Sequence, residues 1–494
     1  MKSHARVLAI GLDSADAALL RMWCDNGDLP VLRALRDASR WGKLASPPGL
    51  ADDGVWASFS TGVSPGRHGR YFTKSLSAGS YRNPKFRDDD LRHETFWSAL
   101  GQLGHRMAII DVPKTPLVRG FDGVQIRDWI VHGRDGLIDS WPGEIATELV
   151  ERFGRDATDD TASAEFLCKM TQLDETDGMS LLNDLLKTLE QKLQFSMELL
   201  ERDDWDLFLT VFKECHCATH QFWHVLDATH PAHDAGLSSR IGNPIKTIYR
   251  ELDSAIGRLL ERAGPDAYVI VFSDLGMAAN YTGEHILDAI LQRFESAENS
   301  RYRNIGNALA FATDRALARL TFGRYKPAAK RHRRAFQLHH NEMSGAIRIN
   351  VKGREPHGQI QPGREFEDFC AALTDELLAL ENPATGGPIV REVLRTTEIY
   401  EGDNLDRLPD LFAVWNRAAP IDGVRSARLG EFACRHHALR PGNHIPNGVC
   451  FIRGPGIDAG EQTAEASIMD IGPTIARILG TPLAGLDGKS IVAR

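Results

Sequence analysis

The chain reads as an α/β protein built on a mostly parallel sheet, and three observations predict this. Short runs rich in Val, Ile, Leu and Phe recur at 6–12, 106–111, 207–212, 267–272, 410–415 and 448–453, each the length of a strand buried on both faces. Between them lie stretches with apolar residues three and four apart, notably 181–203 and 244–264, the spacing that gives a helix one apolar face. The second of these stops at Gly264-Pro265, a helix terminator. Strands that alternate with helices pair in parallel through helical crossovers, so a central sheet flanked by helices is expected.

Composition permits such a fold and excludes some partners. At 494 residues the chain can bury a large core, and it is read as one elaborated domain spanning 1–494. Hydrophobic and charged fractions of 42% and 25% are ordinary for a globular protein. A net charge of −9 gives no reason to expect nucleic acid or an anionic membrane as partner. The apolar run at the N-terminus reaches Asp13 too soon for a signal peptide or a membrane span. Seven scattered cysteines, an odd number, argue against a disulfide framework and for a reducing cytoplasm.

Two segments break the rhythm. Residues 72–140 are rich in Arg, Asp and Gly, and 296–365 are polar with a basic run at 326–334. Both are expected to be loops or small caps laid over the sheet edge. The basic run reads first as a solvated face, and second as a cap touching an anionic substrate.

Metal-type side chains recur where the strand-like runs end. VLAIGLD ends in Asp13, LFLTVFKECHCATH carries His216 and His220, YVIVFSDLG carries Asp274, and His444 stands just before the run at 448–453. Carboxylates and imidazoles dispersed like this meet at the carboxyl edge of a parallel sheet, where open α/β folds build their sites. A metal-centred pocket is the expectation. Cys215 and Cys217 flank His216 and could be thiolate ligands, but no second cysteine pair completes a zinc site, which favours small buried residues.

The motifs together resemble the alkaline phosphatase superfamily, in its branch of type I phosphodiesterases and nucleotide pyrophosphatases. The strand ending in Asp13 looks like that family's first metal aspartate, and WASFSTGVSPGRHG (56–69) is similar to its block after the nucleophile. VFSDLGM (271–277) resembles its Ser-Asp-His-Gly-Met strand end, and INVKGREPHGQIQPGREFE (349–367) a segment common in the branch. GNHIPNGVCFIRGPGI (442–457) and SIMDIGPTIARILGTPLAGLDGKSI (467–491) resemble its C-terminal metal histidine and closing helix. The resemblance implies two close divalent ions that clamp the attacking and departing oxygens of a phosphoryl transfer.

Carried over residue by residue, Asp13, His220, Asp274 and His444 match the family's ligands, and three positions depart. The nucleophile position falls at Asp52, where a hydroxyl should stand; the aspartate four residues before His220 is His216; the histidine after Asp274 is Leu275. His216, His220 and His444 then form a three-imidazole set, expected to hold zinc. Asp13, Asp52 and Asp274 leave an all-oxygen second site for Zn, Mn or Mg, or for no ion.

Asp52 has three readings: an aspartyl nucleophile, a ligand or base that orients the attacking water, or an inert residue in a decayed site. Asp53 could exchange roles with it. The expected activity is metal-dependent hydrolysis of a phosphate ester, phosphodiester or related small anion by direct attack of water activated at the metal. Two alternatives stand beside it: a scaffold redirected to lyase, oxidative or non-phosphate hydrolytic metal chemistry, and a non-catalytic ligand-binding relative. Lesser candidates are Lys213, Glu214, His224, Arg354, the pairs His339/His340 and His436/His437, and a structural His68.

Overall fold

A computed structural model of the chain describes residues 5–134, 136–158, 173–299, 330–339, 341–434, 440–462 and 464–492. The strands run in order as β1 (Ala5–Leu12), β2 (Arg40–Ala45), β3 (Met107–Ile110), β4 (Gly123–Arg127), β5 (Asp139–Trp141), β6 (Trp205–Phe212), β7 (Tyr268–Phe272), β8 (Gly276–Ala279) and β9 (Ala335–Gln337). There follow β10 (Ser344–Ile349), β11 (Val390–Arg395), β12 (Leu411–Trp415), β13 (Gly423–Ser426), β14 (Gly430–Ala433), β15 (Gly442–Ile445), β16 (Gly448–Arg453), β17 (Gly460–Glu461) and β18 (Ala466–Ser467).

A 10-stranded sheet in the order β17-β2-β16-β7-β1-β6-β3-β4-β5, with β18 beside β2, organises the molecule. Its heart is parallel: β1 lies between β6 and β7, and β3 between β6 and β4. These strands are apolar at nearly every position because both faces are covered. Leu8, Ile10, Phe208, Phe212, Val269 and Val271 enter one core. Their alternate neighbours Val7, Ala9, Leu207, Leu209, Ile270 and Phe272 enter the core on the opposite face. The predicted helices appear as Glu175–Arg202 and Pro244–Ala263, both packed on the first of these cores through residues such as Leu185, Leu189, Leu252 and Ile256.

The structure corrects several expectations. The run at 448–453 is a central strand, but β16 is antiparallel to both β2 and β7. The run at 410–415 is not in the central sheet at all: β12 belongs to a separate antiparallel sheet, β11-β12-β10-β9. A strand covered on both faces looks alike in either sheet, so its apolar run does not reveal its membership. Segment 72–140 contributes β3, β4 and β5 to the central sheet. Its Arg, Asp and Gly residues mark connections between strands too short to dominate the composition. The described part of 296–365 supplies β9 and β10, which bury Ala335, Ile347 and Ile349 with Ile286, Ile290, Leu373 and Leu377 in a core of their own. It forms part of a second lobe. No helix among the described residues is long and apolar enough to cross a membrane.

Candidate metal centre

Three strand ends converge because β1 is sandwiched. Leu12 pairs with Phe212 and Gly11 with Phe272, so the residues after each strand emerge at one edge of the sheet. Asp13 follows β1 directly, Asp274 lies two residues beyond β7, and β6 passes through Lys213 into the helix Glu214–Leu226. On that helix His216 and His220, four apart, share a face. The fourth contribution comes from β15, whose His444 sits opposite Met277 of β8. A Cβ on Gly442 would stand 2.1 Å from the carbonyl oxygen of Thr219. Only glycine lets β15 lie this close to the histidine helix.

The three imidazoles are anchored from behind. His216 Nδ1 lies 3.0 Å from Asp13 Oδ1, His220 Nδ1 donates to the Gly442 carbonyl at 2.8 Å, and His444 Nδ1 lies 3.2 Å from Ser14 Oγ. Of their other nitrogens, His220 Nε2 and His444 Nε2 are 3.2 Å apart, and His216 Nε2 is buried without a hydrogen-bond partner among the described residues. One ring nitrogen of each histidine lies within 4.8 Å of the others. Burial holds the pKa of His220 well below the usual range and that of His444 at about 4, leaving both rings neutral. Neutral rings with an outer-side partner fixing the tautomer are the form in which histidine binds metal.

The carboxylates are arranged differently. Asp274 Oδ1 accepts the Ser14 backbone N–H at 2.8 Å, and Asp13 Oδ1 accepts the Ser14 hydroxyl at 3.1 Å. The second oxygen of each is buried without a partner among the described residues, a costly state for an acceptor. Burial and the charge of Asp13 push the pKa of Asp274 well above the carboxylate range. For Asp13, burial is outweighed by His216 and His444, which lower it.

Asp52 opens the helix Asp52–Thr61 with φ of 34°, a left-handed value that residues with side chains seldom adopt. Burial raises its pKa well above the usual range; Lys114 opposes the rise, while Asp53, Asp13 and Glu342 add to it. Asp53 is turned away, 2.5 Å from Arg70, which also holds Asp88 at 2.8 Å.

Four further groups crowd this edge, and the sequence reading missed all of them. The half-buried ring of His132 lies 4.3 Å from that of His216. Glu342 Oε2 lies 3.4 Å from His444 Nε2 and 2.7 Å from Arg440. Lys114, buried, bonds the Gly133 carbonyl, and its charge acts on Asp52 and Asp53. Lys114 and His132 stand four and five residues past β3 and β4, so the strand-end rule that found Asp13 could have found them. Glu342 and Arg440 sit in polar loops that carry no such signal.

Several lesser candidates face elsewhere. Lys213 is paired with Asp156 and bonds Thr158 at 3.0 Å, and Glu214 bonds Thr188 at 3.0 Å. Arg354 is clamped to Asp410 at 2.7 Å and Glu355 at 2.9 Å. His68 bridges Ser58 at 2.8 Å and the Arg70 backbone at 3.1 Å. Cys215 Sγ donates to the Asp13 carbonyl at 2.9 Å, and Cys217 Sγ lies 3.9 Å from His132. The ring of His224 packs near His230, and that of His339 near Phe72. His340, His436, His437 and residues 326–329 lie outside the described residues.

Imidazoles and carboxylates gathered at the carboxyl edge of a flanked parallel sheet are the groups with which metal-dependent hydrolases hold their ions. The profile of the type I phosphodiesterase / nucleotide pyrophosphatase family matches residues 7–425, and the chain belongs to that family. Among solved structures, phosphonoacetate hydrolase from Sinorhizobium meliloti 1021 in complex with phosphonoformate is similar in fold. It has a TM-score of 0.51 and 14% identity over 97% of this chain and 96% of that one. Murine ectonucleotide pyrophosphatase/phosphodiesterase 5 aligns with a TM-score of 0.49 and 12% identity over 98% and 97% of the two chains. No curated protein sequence matches the chain.

Proposed function

We propose that the protein hydrolyses a phosphate ester, phosphodiester or related small anion by direct attack of water, with a divalent metal held by His216, His220 and His444. The observation that carries this reading is the cluster of three rings: one nitrogen of each lies within 4.8 Å of the others, each Nδ1 has a partner, and His216 Nε2 has none among the described residues. The donors fit a metal, since His216 Nε2 has no use within the described protein. Three imidazoles suit zinc, which when bound would lower the pKa of water toward ~7 and draw charge from phosphoryl oxygens. The partnerless oxygens of Asp13 and Asp274, with Asp52 nearby, support a second site for Zn, Mn or Mg.

The protein's own groups have separable tasks in this reading. Asp52 occupies the position where the family places its nucleophile, and it accepts the proton of the attacking water as the bond to phosphorus forms. Lys114, beside Asp52, and Arg440, beside Glu342, are the cations on this edge. They orient an anionic substrate and offset the charge that builds up on it. We place the protein in the cytoplasm, a reading supported by the six described cysteines, all free thiols and five of them buried.

Elemental analysis of the purified protein, joined to a panel of phosphomonoester, phosphodiester and sulfate ester substrates, tests the proposal. His220→Ala should lose metal and activity together, and full metal occupancy in that variant would overturn the assignment. A trapped phospho-enzyme that Asp52→Asn abolishes would overturn direct attack by water.

A further inference from the structure

We propose that Glu342 is a ligand of the same metal centre, so that the second lobe supplies the carboxylate the histidine helix lacks. The inference rests on the reading of His216, His220 and His444 as metal-holding. A tetrahedral ion with bonds of about 2.0–2.1 Å has ligand atoms about 3.3 Å apart. His220 Nε2 and His444 Nε2 are separated by 3.2 Å, and His444 Nε2 and Glu342 Oε2 by 3.4 Å. Two successive edges thus have the length that shared coordination requires.

Lone pairs support the same point. His220 Nδ1 donates to the Gly442 carbonyl, so its Nε2 carries a lone pair in the neutral ring. Glu342 Oε2 brings another acceptor against the same nitrogen of His444. Two acceptors aimed at one ring atom leave room for a single proton or for one cation that satisfies all three.

The backbone at 342 is built for placement. Glu342 has φ of 70°, a strained value for a residue with a side chain. It is pinned from both sides: its N–H donates to Glu284 Oε1 at 3.0 Å, and its carbonyl accepts from Arg417 at 3.1 Å. Asn341 Oδ1 turns the chain by accepting from Met343 N and Ser344 N at 3.2 and 2.9 Å. A carboxylate serving only as counter-charge to Arg440 needs no such backbone, because an arginine can be met from many directions. The carboxylate's remaining lone pairs can hold Arg440 at 2.7 Å while it faces the histidines.

The test is a competition titration of zinc against a chromophoric chelator, with visible spectra of the cobalt-loaded proteins. Glu342→Gln keeps the shape and should weaken metal binding beyond the roughly 10–100-fold typical of outer-shell changes, and alter the cobalt bands. Should that variant fail to fold, Glu342→Asp keeps the charge for Arg440 but withdraws the carboxylate by one carbon. It should weaken binding by more than about 10-fold, whereas a plain counter-charge would leave it unchanged. Wild-type affinity and cobalt bands in whichever variant folds, with binding lost in His220→Ala, would overturn the role of Glu342 alone. Metal retained in His220→Ala would overturn this inference together with the reading beneath it.

Discussion

On one side of the centre, three imidazoles are each anchored through Nδ1, with one ring nitrogen of each within 4.8 Å of the others. On the other, Asp13 and Asp274 each keep a buried oxygen without a partner among the described residues, and the charges of Asp53, Asp13 and Glu342 bear on Asp52. The imidazole half is held by a partner on each ring, with the Glu342 carboxylate 3.4 Å from His444 Nε2. In the carboxylate half the buried Lys114 offsets the repulsion at Asp52 and Asp53, and Arg70 holds Asp53. If both halves hold metal as proposed, the imidazole site should keep its shape when empty, whereas the carboxylate site should depend on the cation that fills it.

The sharpest way to break this contrast is to remove a ring. His220→Ala should lose tight zinc binding and nearly all hydrolysis, measured by metal analysis and turnover. The next test removes charge from the other half: Asp52→Asn should cut kcat/KM by about 10²–10⁴-fold, the usual worth of a positioned base. It should also retain one equivalent of metal at the imidazoles. Loss of that equivalent would show the halves to be a single unit.

Arg70→Met should lower stability by about 3–5 kcal/mol in chemical denaturation, because it leaves the buried carboxylates of Asp53 and Asp88 without their charge partner. The smallest effect concerns His68. Arg70 N–H donates to its Nδ1, so Nε2 carries the proton and donates to Ser58. Burial, then the charge of Arg70, lowers its pKa from 6.5 to about 3. The folded protein thus keeps His68 neutral while the unfolded chain takes up a proton below 6.5. Stability contributed above pH 6.5 is lost as pH falls toward 3. His68→Gln should show a shallower loss over that interval, by up to one proton, and an unchanged slope would refute the assignment.

The parts of the fold legible in the chain were those with one unambiguous period. β1, β6 and β7 are long runs covered on both faces, and the helix Pro244–Ala263 has its apolar stripe and Gly-Pro stop. Sheet membership was not legible for β12, since burial on both faces leaves no mark of which sheet does the burying. Among the residues gathered at this edge, Asp13, His216, His220, Asp274 and His444 could be picked out as candidates because each adjoins a strand-like run or family motif. Glu342 and Arg440 reach the histidines only through tertiary packing, from loops 98 residues apart with no periodic signal. The three substitutions against the family pattern were visible as letters. That Asp52 would adopt a left-handed backbone and Asp53 turn to Arg70 was not.

Ser14 touches both halves at once. Its N–H holds Asp274, and its hydroxyl lies within 3.4 Å of Asp13 Oδ1, His216 Nδ1 and His444 Nδ1. In the proposed two-metal reading this residue is common to both binding equilibria, and any effect of one site's occupancy on the other's affinity is reciprocal. Metal loading should be cooperative, in either sense, with Ser14 carrying part of the coupling. A calorimetric titration with two independent sites in the wild type, or one unchanged by Ser14→Ala, would exclude that role.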